Sequence, residues 1–360
     1  MFDPTQHSHR RFNPLMGQWV LCSPHRALRP WQGGVEPTFD KKPPYDPECY
    51  LCPGNSRVKG DQKNPQYPST FTFTNDFPAM QLDLPKQTEE SSPAGSDKAQ
   101  ILKLNRVRGT SKVICYTPHH HLTLATLPLT GVYDVVKEWK DIYLSFQEEK
   151  ANTELKYVQI FENKVWASDQ IPSIPQLELQ NLATFKDKYG FCLLCEYSRL
   201  EASSSRVSRV VDETKEFISV VPFWATWPFE ILVLSKEHQS DIGSMSNNTL
   251  MDLAAILKRV TTRYDNLFEC DFPYSMGIHQ SPLTNGFEKH RDLSHFHIHF
   301  YPPLLRSANV KKWMVGFEML GEAQRDLTPE QAAERLRSLS ATEHYTERNI
   351  ETKNPLSSKL

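Results

Sequence analysis

Apolar and polar positions along this chain follow two periods, and the same succession of periods occurs twice. In the first half a strand-like run, "SKVICYTP", and a short second run, "LTLATLPL", lead into Val132, Val135, Val136, Trp139, Ile142 and Tyr143. Their 3.6-residue spacing predicts an amphipathic helix, and a strand, "YVQIFEN", closes the unit. In the second half "FISVVPFW" and "FEILVLSKEH" precede a helix with Leu250, Leu253, Ile256, Leu257 and Val260 on one stripe. "FPYSMGIHQ" and "SHFHIHFYPP" follow it. A strand–strand–helix–strand–strand order at similar spacing predicts an internal duplication. Antiparallel strands with helices packed on one side make an α+β fold. A last helix, "TPEQAAERLRSLS", opens on a Thr328 cap with Glu330 and Gln331 in its first turn.

The N-terminal stretch breaks this rhythm. Residues 24–97 are rich in proline, which removes a backbone donor and clashes within a helix, so irregular chain around short strands is expected. Trp19–Leu21 and Thr70–Phe73 are two such strands. The two halves also differ in one connection. The second half places a long loop and the three histidines of "HFHIHF" after "YSMGIH", whereas "YVQIF" is followed only by Glu162, Asn163 and Lys164 before Val165-Trp-Ala167 resumes the strand pattern.

Composition narrows the class. With 41 basic and 43 acidic residues, nothing in the overall charge favours nucleic acid. A hydrophobic share of 39% over 360 residues predicts a folded chain with room for two domains or one duplicated one. No run of about 18 apolar residues predicts a membrane span, and "MFDPTQHSHRRFNP" has no signal-like apolar core. Seven scattered cysteines argue against a disulfide framework and for a reducing compartment, so the cytoplasm is expected.

The candidate chemistry is histidine and cysteine. A strand repeats every two residues, so His295, His297 and His299 are expected on one face, as a metal site rather than as core. His279 offers a further ligand from the neighbouring strand, and an acidic fourth ligand would suit zinc or iron. Cys49 and Cys52 form half of a tetrahedral site, with partners sought among His119, His120 and His121. Cys192 and Cys195 share that spacing inside an apolar run and read as buried small hydrophobes. Arg26 and Arg29 suit bidentate phosphate contacts. No nucleophile elbow, Walker loop or GxGxxG is present.

Several strings taken together resemble the galactose-1-phosphate uridylyltransferase family of the histidine-triad superfamily. They include "RRFNPLMGQWVLCSPHRALRPWQGG", "YVQIFENK", "VPFWATWPFE", "YDNLFECDFPYSMG" and "HFYPPLLRSANVKKWMVGFEML". The resemblance spans nearly the whole chain. It implies a duplicated histidine-triad-like fold with antiparallel half-barrel sheets and helices packed outside, with halves at 1–180 and 181–350 and a tail at 351–360. It also implies exchange of a uridylyl group between UDP-glucose and galactose 1-phosphate through a uridylyl-histidine, giving glucose 1-phosphate and UDP-galactose, in a homodimer. Carried over by position, Arg26, Arg29, Asn75, Asp76 and Asn163 meet the nucleotide. Lys312, Phe317, Glu318 and Gln324 meet the hexose phosphate, and Phe317 stands where family members often have tyrosine. Glu178, His279, His297 and His299 hold a structural zinc or iron. Cys49, Cys52 and His120 supply three of four ligands of a second zinc site.

One departure matters most. Between "FENK" and "VWAS" the family carries a Gly-rich segment and a Ser-Asn-Pro-His-Pro-His-x-Gln motif that this chain lacks. That motif supplies the nucleophilic histidine and the second zinc site's fourth ligand. Without it, "QIFE" and "VWAS" are expected to pair as a hairpin across Asn163-Lys164, because asparagine tolerates the positive φ of a two-residue turn. The chain is thus expected to be inactive or severely impaired, with a UDP-sugar-binding or dimerising role as the alternative.

Overall fold

The alternation of the two repeated units builds one sheet. A computed structural model describes residues 2–25, 42–60, 62–83, 106–162, 164–203, 208–283, 288–302 and 317–348. Its strands are β1 (His9–Asn13), β2 (Gln18–Cys22), β3 (Phe71–Thr74), β4 (Gly109–Cys115), β5 (Tyr157–Phe161), β6 (Lys164–Ser168), β7 (Val210–Glu213), β8 (Phe217–Val220), β9 (Ile231–Ser235), β10 (Ser275–His279), β11 (His297–Tyr301) and β12 (Ala323–Arg325). Its helices are α1 (Leu129–Thr153), α2 (Ser173–Tyr189), α3 (Leu193–Ser203), α4 (Asn247–Phe268), α5 (Glu288–Arg291), α6 (Phe317–Leu320) and α7 (Pro329–Arg337). Nine strands form an open antiparallel sheet in the order β3-β4-β6-β5-β10-β11-β9-β8-β7.

The duplication is real, but its register differs from the one read in the sequence. β3-β4-α1-β5-β6 and β8-β9-α4-β10-β11 are the equivalent units, and they meet where Ile160 of β5 lies opposite Ile278 of β10. "SKVICYTP" is therefore the counterpart of "FEILVLSKEH", not of "FISVVPFW". "LTLATLPL" is no strand. Thr123 and Thr126 bond to each other's backbone and side chains, and Leu127 N–H donates to Thr123 O at 2.8 Å. Such local bonds give the backbone a turn in place of a ladder. Leu124 and Leu127 are still buried against the helices, which explains the apolar text.

Helices cover both faces of the sheet, not one. Odd and even residues of β9 show this. Ile231 and Val233 join the core beneath α1 and α4, with Trp139, Val136, Leu253 and Leu257. Leu232 and Leu234 join Leu182 of α2 and Leu193 and Leu194 of α3 on the other side. α2 and α3 carry no sequence expectation above. α2 ends at Gly190, whose φ of 83° is left-handed and favours glycine, with its N–H capping Lys186 O at 2.7 Å. This sharp stop turns the chain straight into α3.

A second sheet, β1-β2-β12, sits against α7. Buried Arg11 makes a two-pronged ion pair with Glu330 in the first turn of α7, at 2.8 and 3.0 Å. Burial pushes the Glu330 carboxyl up, but Arg11 and Arg209 outweigh it and bring it down to about 2. The predicted Thr328 cap is present and reciprocal. Gln331 N–H donates to the Thr328 hydroxyl, and Thr328 N–H donates to the Gln331 side chain. Among the described residues no helix is long and apolar enough to cross a membrane.

Candidate active site and metal centres

The connection between β5 and β6 is as short as a hairpin allows. Phe161 pairs with Lys164 and Ile160 with Val165, leaving only Glu162 and Asn163 between the strands. The turn lies one residue earlier than expected from the sequence, because Lys164 already belongs to the ladder. Asn163 itself lies outside the described residues. The tip is tied to β10 by Glu162 N–H donating to Met276 O at 3.1 Å. Burial pushes the Glu162 carboxyl up to about 7, against a hydrogen bond with Tyr274. The sequence offered no sign of this half-buried carboxyl.

On the β10–β11 side the ladder itself assembles a ligand set. His279 pairs with His297, and Gly277 with His299, so the three imidazoles share one face. That face is the one α2 covers, and α2 brings Glu178, which is 3% exposed. Glu178 Oε2 lies 2.5 Å from His279 Nδ1 and 3.4 Å from His297 Nε2, and Oε1 lies 3.4 Å from His299 Nε2. Burial works against the Glu178 charge, but the three histidines more than offset it and hold the carboxyl well below its usual range. Burial lowers His299 to about 4, which keeps it neutral, as a ligand must be. His297 Nδ1 bonds to the His295 carbonyl at 2.7 Å, which leaves its Nε2 for the site. His297 Nε2 and both nitrogens of His299 are buried without a hydrogen-bond partner. Orphaned imidazole nitrogens around a buried carboxylate fit a divalent metal.

His295 does not join that face, contrary to expectation. β11 begins only at His297, and Phe296 N–H is taken by Gln239 O at 2.6 Å. His295 turns instead toward Cys192 and Cys195, which are not inert hydrophobes. With His238 these residues offer four ligand atoms lying within 4.8 Å of one another. His295 Nδ1 lies 3.6 Å from Cys192 Sγ and 3.4 Å from Cys195 Sγ, and His238 Nδ1 lies 3.5 Å from Cys195 Sγ. The missed signal was helical: Cys192 immediately precedes α3 and Cys195 lies in its first turn, so x-x spacing puts both sulfurs on one side.

The Cys49–Cys52 knuckle is held open by amides. The Asn55 side chain donates to Cys49 O at 2.8 Å, and the Asn64 side chain donates to Cys52 O at 3.1 Å. His120 reaches it with Nδ1 3.5 Å from Cys52 Sγ, and the three offer ligand atoms within 4.8 Å of one another. No fourth Cys, His, Asp or Glu joins them among the described residues. Burial raises the Cys52 thiol.

The remaining site residues are scattered. Arg26, Arg29 and Lys312 lie outside the described residues, as does the side chain of Phe317. Asn75 and Asp76 follow β3. Asn75 Oδ1 accepts the Phe77 N–H at 3.1 Å, and Asp76 is ion-paired with Arg57, whose hydrogen bond lowers its pKa. Glu318 lines a cavity with Arg10, Asn13 and Gln18, and Gln324 sits in β12 with its amide 3.4 Å from Asp326. The two groups belong to different sheets.

Comparison with known proteins meets this geometry from outside. The profile described as galactose-1-phosphate uridyl transferase, N-terminal domain, matches residues 1–167, and the corresponding C-terminal domain profile matches residues 178–349. A galactose-1-phosphate uridylyltransferase of Saccharomyces cerevisiae is 47% identical over 364 aligned positions, covering 96% of this chain and 98% of that protein. The aligned length exceeds the 360 residues here, so that relative carries residues without a counterpart. A Haemophilus influenzae enzyme of the same name is 45% identical, covering 97% of this chain and 99% of its own. Among solved structures, an ADP-glucose phosphorylase from Arabidopsis thaliana with bound ADP-glucose superposes with a TM-score of 0.68 at 24% identity, covering 93% of this chain and 100% of that one. That likeness concerns the fold.

Proposed function

Because the chain belongs to the galactose-1-phosphate uridylyltransferase family, whose members are nucleotidyltransferases, we propose that it is a uridylyltransferase scaffold without its nucleophile. It binds UDP-glucose, UDP-galactose and hexose 1-phosphates but transfers the uridylyl group slowly or not at all. The observation that carries this reading is the direct pairing of Phe161 with Lys164. In the family's two-step exchange an imidazole attacks the α-phosphorus, glucose 1-phosphate leaves, and the phosphoramidate later yields to galactose 1-phosphate. A two-residue turn holds no imidazole. His119, His120 and His121 do not stand in, since a displacement of about 1 Å already costs on the order of 100-fold in positioned catalysis.

The metals follow from the ligand sets. Glu178, His279, His297 and His299 hold zinc or iron, and zinc at Cys49, Cys52 and His120 lacks a fourth protein ligand among the described residues. The chain works in the cytoplasm as a homodimer, the state the family resemblance implies. The test is a uridylyl-transfer assay with calorimetry on the same preparation. The expected result is heat on adding UDP-glucose, no phosphoramidate adduct and little turnover. Turnover at the rate of the intact relatives overturns the reading. Absence of binding at millimolar UDP-glucose removes the binding role.

A further inference from the structure

We propose that Cys192, Cys195, His238 and His295 form a further metal centre, a four-coordinate structural zinc site that fastens the start of α3 to the ends of β9 and β11. It is separate from the Glu178 centre and from the Cys49 knuckle.

The distances match a coordination sphere. Zinc bonds of about 2.3 Å to sulfur and about 2.0–2.1 Å to nitrogen, at tetrahedral angles, set ligand sulfur and nitrogen about 3.6 Å apart. Three sulfur–nitrogen separations in the cluster are 3.4, 3.5 and 3.6 Å. Both imidazoles present Nδ1 to the sulfurs and turn Nε2 to main-chain oxygen. His295 Nε2 lies 3.0 Å from Ser235 O, and His238 Nε2 lies 3.5 Å from Arg291 O. A ring whose far nitrogen donates to a carbonyl is fixed in the tautomer that leaves the near nitrogen free to bind metal. Two thiolates balance the dipositive ion, and a set of two sulfurs and two nitrogens suits zinc while magnesium and calcium prefer oxygen.

The placement also explains the break in the histidine strand. His295 and His297 are two residues apart yet serve different centres, and the His297 ring bonds to the His295 carbonyl between them. α2, which carries Glu178, ends at Gly190, just before Cys192. A metal at the four-residue cluster therefore fixes the chain leaving α2.

The test uses the full chain. Zinc is measured by plasma mass spectrometry in the parent and in a C192S/C195S variant, with the loss of one equivalent per chain expected. Cobalt is then loaded into C49S/C52S protein, so that thiolate-to-cobalt charge-transfer absorption reports this centre alone. That absorption is expected in C49S/C52S and absent once Cys192 and Cys195 are also serine. H238A changes an exposed position and keeps the test interpretable if the serine variants fold poorly. It is expected to weaken cobalt binding by at least ~10-fold with an unchanged far-ultraviolet circular dichroism spectrum. Unchanged zinc content in C192S/C195S, no cobalt–thiolate absorption in the C49S/C52S background, or a Cys192–Cys195 disulfide in the freshly isolated parent each overturns the proposal.

Discussion

The β5–β6 and β10–β11 hairpins are the same part of a duplicated fold, used in opposite ways. Their first strands lie side by side at the centre of the sheet, and Ile160 and Ile278 face each other with no solvent exposure. Both therefore do equal structural duty. Their connections share nothing. One is Glu162-Asn163, and the other runs from Gln280 to Phe296 and sends His295 to one ligand cluster and His297 to another. An antiparallel pair needs only a turn to stay in register, so the ladder tolerates loss of everything beyond it. Chemistry held in a connection is removable without loss of fold.

The largest effect that sharpens this contrast comes from lengthening the short connection as the proposed reading requires. Inserting the Gly-rich segment and Ser-Asn-Pro-His-Pro-His-x-Gln motif that the family resemblance implies between Lys164 and Val165 is expected to raise uridylyl transfer by on the order of 10⁴-fold or more, the scale at which a covalent nucleophile acts. An insertion variant that folds, binds UDP-glucose and stays inactive breaks the contrast, because the defect then lies elsewhere.

Next in size is the opposite experiment on the β10–β11 side. Glu178→Ala leaves two buried imidazoles and one half-buried one without their carboxylate, and a stability loss of ~3–5 kcal/mol is expected, with one metal equivalent lost. Denaturant unfolding and metal analysis check it. A variant as stable and as metal-rich as the parent would put both connections on the same footing.

The smallest effect is a pH dependence at the short turn. The Glu162 pKa is raised from 4.5 to about 7 in the folded chain. The folded state then binds this proton more tightly than the unfolded state. The resulting stability is full below about pH 4.5 and is lost as pH rises through 7. Glu162→Gln is expected to flatten the melting temperature across that window, while Glu230, raised to about 7 by burial, keeps a residual slope. An identical slope in parent and variant would place the Glu162 carboxyl in solvent.

Much of this was legible in the sequence, because periodicity reports burial. The α4 stripe, the Thr328 cap and one shared face for His297 and His299 follow from spacing alone, whereas the set of His279, His297 and His299 and the hairpin, which is displaced by one residue, came with the family resemblance. The misreadings share a cause. His295 obeys period two on paper, but the strand begins after it. "LTLATLPL" is apolar because it lies under helices, not because it extends. Cys192 and Cys195 find His238 and His295 only through the fold, at separations that no local pattern reports. Glu178 was reached through family resemblance, since one carboxylate on an unrecognised helix has no signature of its own.

The seam between β5 and β10 carries a last consequence. Its register joins Phe161 to Gly277 and Ile160 to Ile278. Synthesis produces β5 long before β10, so an N-terminal half that folds as it emerges holds a bare, apolar strand edge until α4 and β10 arrive. The turn at Glu162 adds no bulk to shield that edge. An unpaired edge of this kind recruits whatever strand comes first, its own β10 or that of a neighbouring nascent chain. On a crowded polysome, the pairing of Ile160 with Ile278 decides between a monomeric sheet and a strand-exchanged one.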